Sequence, residues 1–309
     1  MNSNVNQILA EVHKVIVGKD DVMEKILMTL ISRGHVLLDD VPGTGKTTAA
    51  LAFHRALGLR YGRIQFTPDV LPSDIVGFSI YRKESGTFVY QPGAVMTNLL
   101  LADEINRTSS KTQSALLEAM EELHVTVDGK TYELPQPFVV LATQNPLESF
   151  GTFPLPDAQM DRFFMRLSLG YMNREQEMEV LSRPSAQAVL SQLNPVVTPE
   201  ETAYVRTAYH EVKVSDDVKN YLMDIVEATR MQGGFVSGVS TRGALALYQA
   251  TQAYAALQGR DYVVPEDVKG LAPAVLCHRV VLGGSMNAEA ATQRLRKLLS
   301  DVEVPLENH

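Results

Sequence analysis

The stretch Val41-Pro42-Gly43-Thr44-Gly45-Lys46-Thr47-Thr48 restricts the possible folds of this chain more than any other. It follows the short apolar run HVLLDD and leads into residues 46–57, whose spacing reads as a helix. A glycine-containing loop between a buried strand and a helix is a phosphate cradle. Gly43 and Gly45 let the backbone approach a phosphate without a side-chain clash. Successive N–H groups and the helix N-terminus attract anions. Lys46 adds a positive charge at the β- and γ-phosphates, and Thr47 offers a hydroxyl to Mg²⁺. Pro42, Thr44 and Thr48 belong to the same nucleotide-binding loop. One position departs from the pattern G-x-x-x-x-G-K-[ST]: Asp40 stands where its first glycine belongs. A carboxylate facing the phosphates would repel them. The expectation is therefore that Asp40 turns away and hydrogen-bonds within the loop, as aspartates do in turns.

The rest of the first half alternates between strand and helix patterns. RIQF, NLLLADE, FVVLATQ and RLSLG are further strand candidates, and 3–15, 19–33 and 109–123 have helical periodicity. This alternation predicts an α/β fold with a mainly parallel sheet. Two hairpins interrupt it. One lies around YRKESGTFVY within an irregular segment, 67–93, and the other at HVTVDGKTYEL, with Asp128-Gly129 as its two-residue turn. Beyond about residue 170 the pattern becomes helical, at 173–182, 199–211, 215–231, 241–258, 265–278 and 288–300. The chain divides on this reading into an α/β core, 1–170, and a smaller all-helical part, 171–309, with a linker about 182–197.

A phosphate loop needs partners. In NLLLADEINR a buried strand ends in Asp103-Glu104, at the edge where open α/β sheets hold ligands. Asp103 suits Mg²⁺, held through water, and Glu104 suits orienting and activating a water molecule, which favours hydrolysis over transfer. Asn145 follows another strand, and its neutral amide suits a water or a γ-phosphate; a polar turn before Pro146 would place it there equally well. Arg162 comes near the end of a short helix, which also suits a structural cation. Ser240 reads as a helix N-cap, so Arg242 falls in the first turn. Cations are disfavoured there, and a nearby phosphate would compensate.

Taken in order, VPGTGKT, LLLADEINR, ATQNP, LPDAQMDRF and STRGAL resemble the Walker A, Walker B, sensor 1, arginine-finger and sensor 2 segments of an AAA+ ATPase. FTPDVLPSDIVG and KTQSALLEAMEE narrow the resemblance to the MoxR family. It implies a P-loop NTPase core with a five-stranded parallel sheet flanked by helices, plus a helical lid. By position it makes Lys46 and Thr47 the phosphate and Mg²⁺ ligands, Asp103 a metal support and Glu104 the catalytic base. Asn145 becomes sensor 1, Arg242 sensor 2 closing the lid on ATP, and Arg162 a finger acting in trans on the next subunit. VIVGKD resembles the segment beside adenine, which adds Val17 and Gly18. The resemblance further implies a homo-oligomeric ring, commonly a hexamer, with ATP between neighbours. It also implies a protein client and a separate partner with a von Willebrand factor A domain, and it places the insert at 67–93 and the hairpin at 124–134 toward the ring's centre or its partners.

Composition then weighs the alternatives. The net charge of −8 counts against a nucleic-acid translocase, since such affinity comes largely from basic surfaces. A nucleotide switch with little turnover is disfavoured by Glu104 and Arg162. The N-terminus is too polar for a signal peptide, and no apolar run approaches the ~20 residues of a membrane span, so a cytoplasmic location is expected. Cys277, the one cysteine, sits in an apolar context and reads as packing.

Overall fold

The computed structural model describes residues 2–146, 151–231, 234–283 and 288–305. Helices α1 (Asn2–His13) and α2 (Asp20–Ile31) come first, then strand β1 (Val36–Asp39), α3 (Lys46–Leu57) and β2 (Tyr61–Gln65). A short α4 (Pro72–Val76) leads into an antiparallel hairpin of β3 (Gly77–Arg82) and β4 (Thr87–Pro92). Next are β5 (Leu99–Asp103), α5 (Ser110–Glu122), a second hairpin of β6 (His124–Val127) and β7 (Lys130–Glu133), β8 (Val139–Gln144), α6 (Asp157–Met160) and β9 (Met165–Leu167). Helices follow: α7 (Arg174–Ser182), α8 (Ala186–Leu190), α9 (Pro199–Ala208) and α10 (Asp216–Met231). Strand β10 (Phe235–Ser237) precedes α11 (Thr241–Leu257) and α12 (Pro265–Leu276); β11 (Val281–Leu282) and α13 (Ala288–Asp301) close the chain.

Five strands form one sheet in the order β2-β5-β8-β1-β9, and every pairing in it is parallel. The central strands β5 and β8 are buried almost throughout, which is why they read as continuous apolar runs rather than as alternations. Their side chains still alternate between two cores. Leu99, Leu101, Val139 and Leu141 join the cluster shared with α1, α2 and α3. Leu100, Ala102, Val140 and Ala142 join the one beneath α5 and the second hairpin.

The five strands and the long helices fall where the periodicity places them. The second hairpin turns on Asp128 and Gly129, whose φ angles of 50° and 75° are both positive, as a type I′ turn requires. The helical part also carries the small β10–β11 ribbon, which two- and three-residue strands make invisible to periodicity. The segment about 182–197, read as a linker, contains α8. Its Leu190 and Leu193 are buried in the main core, and the Val196 N–H donates to Ala56 O at 2.9 Å.

The N-terminal edge of the sheet is tied together by His35. Its Nε2 lies 3.1 Å from Met120 O near the end of α5, and its Nδ1 accepts from the Val140 N–H at 3.0 Å. Burial pushes its pKa down to about 4, against the opposing pull of the Met120 carbonyl. His278, equally buried, is also held well below the usual range, by burial and by Arg279. Both folded values lie below that of an exposed histidine, about 6.5. As pH falls the unfolded chain therefore takes up the protons first. Stability from these residues is complete above about pH 6.5 and declines as pH falls toward 4. Thermal melts should show Tm falling across that window, and a His35→Gln variant should show a shallower fall.

Candidate functional site

At the C-terminal edge of the sheet, β1 ends and the chain turns through the loop into α3. Gly43 and Gly45 have φ of 85° and 93°, and a Cβ built on either would meet nothing within 4 Å. The loop is therefore open on the side where a polyphosphate would lie, and only glycine reaches these angles without strain. Lys46 leads α3, and its Nζ donates to Asp40 O at 2.7 Å and to Val41 O at 3.1 Å. The ammonium group is thus turned back over the loop. Thr47 and Thr48 follow in the first turn of the same helix, and Thr44 Oγ1 donates to Val41 O at 3.3 Å.

Asp40 does turn away from the loop's mouth, but its partners are not within the loop. Its carboxylate is buried and accepts from Ser168 Oγ at 2.7 Å, the Leu169 N–H at 2.6 Å and the Gly170 N–H at 2.9 Å. It thereby fastens the phosphate loop to the exit of β9, the adjacent strand. This corrects the expectation of a local turn bond. Nothing local in the sequence pairs positions 40 and 168–170; only the β1–β9 pairing brings them together.

The strand order lines up the remaining groups. β5 and β8 are neighbours, so Asp103, Glu104 and Asn145 all come to this same edge. Asp103 is buried; its carboxylate accepts from Arg63 Nε at 2.8 Å and from Thr143 Oγ1 at 3.2 Å. Thr143 Oγ1 in turn accepts from the Glu104 N–H at 2.9 Å. Glu104 has φ 58°, a left-handed conformation that costs a non-glycine residue about 1–2 kcal/mol. Its carboxylate accepts from Gln65 Nε2 at 2.8 Å and Arg107 Nη1 at 3.0 Å. Sequence reasoning missed Gln65, Arg107 and Arg63. Gln65 is opposite Asp103 in the β2–β5 register, so only the strand pairing reveals it. Asn145 is buried just past β8.

The donor set fits a nucleotide with a hard divalent ion. Thr47 and Asp103 supply oxygen, and among the described residues no group of three or more His, Cys, Asp or Glu side chains is arranged for a metal. Such an edge suits Mg²⁺, which keeps several waters and takes its other ligands from phosphate. Of the two residues expected beside adenine, Val17 is buried and Gly18 has φ 64°. A Cβ on Gly18 would come within 2.1 Å of the Gln176 amide, and Lys19 Nζ donates to Tyr171 O at 2.6 Å. The segment after β9 thus closes over Gly18 as well as over Asp40. Cys277 is buried in the core, and burial raises its thiol pKa, so it is packing rather than chemistry.

The two arginines are elsewhere. Phe164 N–H donates to His35 O at 2.8 Å, which fixes Arg162 beside the N-terminal edge, one strand length or ~13 Å from the phosphate loop. Arg242, in the first turn of α11, is on the same side: both arginines pair with Glu121 at the end of α5, Arg162 through Nε at 2.9 Å. Ser240 caps α11 as expected, accepting from the Gly243 N–H at 3.0 Å and donating to Asp161 at 2.9 Å. The expectation that Arg242 meets the phosphates of its own chain is thus not matched by its position. The helical part docks along β9: α12 packs against the strand, and Arg279 pairs with Asp161 at 2.7 Å at its entry.

Three variants check this arrangement. Lys46→Ala should abolish ATP binding in a calorimetric titration. Asp40→Ala should leave three donors unpaired, costing about 1–3 kcal/mol of stability; a tenfold rise in ATP affinity for Asp40→Gly, about 1.4 kcal/mol, would contradict the outward carboxylate.

Similarity to known proteins agrees with this geometry. Residues 35–165 match the ATPase family associated with various cellular activities (AAA), and residues 227–301 match the AAA lid domain. The chain is 47% identical to the uncharacterized protein YeaC of Bacillus subtilis, over 96% of this chain and 93% of that one. It is 40% identical to the chaperone MoxR1 of Mycobacterium tuberculosis, over 96% and 81% respectively. A crystal structure of a Cytophaga hutchinsonii protein assigned as an ATPase superposes with a TM-score of 0.89 at 38% identity, covering 99% of this chain and 96% of that one. With an AAA core, its lid and these relatives, the chain belongs to the MoxR family of AAA+ ATPases.

Proposed function

We propose that this chain binds Mg²⁺-ATP at the Lys46 loop, hydrolyses it between subunits of a homo-oligomeric ring, and uses the cycle to remodel or mature a partner protein. One observation carries the reading: the acidic and phosphate-binding groups occupy one edge of the sheet, and Arg162 and Arg242 occupy the other. A head-to-tail contact of heterologous type would bring the arginines of one subunit to the nucleotide of the next, and repetition closes a ring.

Each residue then has a physical task. The N–H groups at Gly43–Thr48 and Lys46 hold the β- and γ-phosphates. Thr47 and Asp103 would hold Mg²⁺, which supplies charge neutralisation on the phosphate oxygens when bound. Glu104 takes the proton of the attacking water, held for that by Gln65 and Arg107. Asn145 orients the water or the γ-phosphate. Arg162 and Arg242 of the neighbour stabilise the charge that develops on the transferred group. In related GTPases a finger supplied in trans is worth roughly 10³–10⁵ in rate, so turnover here should depend on assembly. Val17 and Gly18 line the adenine end.

A remodelling output is supported by the relative named as a chaperone. It is also supported by the first hairpin, where Phe78, Ile80, Tyr81 and Phe88 are 43–68% exposed, an apolar surface suited to a protein client. A separate protein with a von Willebrand factor A domain remains the expected partner, with the cytoplasm as the site of action. No helix among the described residues is long and apolar enough to cross a membrane.

Mixed assemblies test the shared site. Glu104→Gln should retain ATP without turnover, and Arg162→Ala should bind ATP yet fail to activate its neighbour. Mixing the two should restore steady-state ATPase activity, because the intact Glu104 of one subunit meets the intact Arg162 of the other. Absence of complementation would rule out the trans role.

A further inference from the structure

Glu121, in the segment KTQSALLEAMEE, is given no role by the motifs, yet it is where the core and the helical part present their cations together. Arg162 comes from the core, just past α6, and Arg242 from the first turn of α11. Each reaches a different oxygen of the same carboxylate: Arg162 Nε is 2.9 Å from Oε2, and Arg242 Nη2 donates to Oε1. The three side chains remain partly open to solvent, at 29%, 49% and 34% for Arg162, Arg242 and Glu121. Two guanidinium groups brought this close repel each other unless an anion stands between them. One carboxylate against two cations quenches that repulsion and leaves the trio with a net positive charge, which still attracts a phosphate.

We propose that Glu121 is a positioning residue for hydrolysis: its carboxylate joins Arg162 and Arg242 into one pre-arranged pair that is offered to the nucleotide of the adjacent subunit. This rests on the reading that both arginines act in trans. Holding the core to the helical part does not require Glu121. That task falls to Arg279, which is buried, pairs with Asp161 and donates to the carbonyls of Asp161, Phe163 and Phe164. Part-exposed ion pairs contribute little to stability. The value of this one lies in where it puts the arginines before the phosphate arrives, since pre-arranged charges need no reorganisation as the reaction proceeds. It also makes the pair depend on docking of the helical part, because Arg242 reaches Glu121 only when α11 rests against the core.

The test uses steady-state ATP hydrolysis by the full chain. Glu121→Ala should lower kcat about tenfold, with the KM for ATP within about twofold of wild type, the pattern of an interaction made only in the transition state. Glu121→Gln, which keeps the shape but loses the charge, should behave the same way and serves if the alanine variant folds poorly. Mixing Glu121→Ala with Glu104→Gln should restore turnover, because the defect lies on the arginine-bearing side and the second subunit supplies that side intact. A defect at the variant's own nucleotide site, or a general loss of structure, would not be rescued in this way. Wild-type turnover in both Glu121 variants, a raised KM with unchanged kcat, or no rescue on mixing each overturns the proposal. If Arg162→Ala and Arg242→Ala also turn over like wild type, the shared-site reading itself falls. If those two lose turnover while the Glu121 variants keep it, only the role of Glu121 falls.

Discussion

The polarity of one parallel sheet sorts the chemistry of this protein. With all five strands running the same way, every loop that leaves a strand end emerges on one edge and every loop that enters a strand lies on the other. The phosphate loop, Glu104 and Asn145 all follow strands, and Asp103 ends one. Arg162 precedes one. An antiparallel sheet of the same segments would have mixed them. The parallel order therefore sets the phosphate loop and Arg162 a strand length apart, and the proposed shared site rests on that separation.

The placement of the helical part reinforces this separation. Arg279 is buried among the carbonyls of residues 161–164 and pairs with Asp161, an arrangement that would be costly to break because it would leave an unpaired charge in the interior. The contact anchors the helical part at the entry of β9, with α12 packed along that strand, and Arg242 is held at the same edge as Arg162. Arg242 is therefore held away from the phosphate loop of its own chain. The phosphate loop and the helical part are joined through residues 168–176. This segment is fastened to the phosphate loop by Asp40 and meets the Gly18 region through Tyr171 and Gln176.

Much of this architecture is legible in local sequence. The continuous apolar runs of β5 and β8 announce strands covered on both faces. The Asp128-Gly129 pair announces its hairpin turn, and the helical periods after residue 173 match the observed helices. The loop from Gly43 to Thr47 is equally plain, since its spacing follows from the demands of a phosphate. Asp40 shows the limit. That it must turn away from the phosphates follows from charge alone. What it turns toward, the backbone and hydroxyl of residues 168–170, lies some 130 positions on and is reached only because β9 pairs with β1. Gln65 and Glu121 are illegible for the same reason, being ordinary polar residues whose partners are set by strand register and by helix docking.

The sequence by itself determined the five sheet strands and the long helices, the phosphate loop, the strand-end carboxylates and the family to which these motifs belong. Each of these depends on interactions among residues a few positions apart or on a repeat of two or 3.6 residues. Tertiary structure decided the strand order, the partner of Asp40, the groups that hold Glu104, and above all the side of the molecule on which Arg162 and Arg242 meet Glu121. Those depend on which distant surfaces bury each other, and the free energy that selects them is collective, spread over two cores and a docking interface rather than written into any one segment.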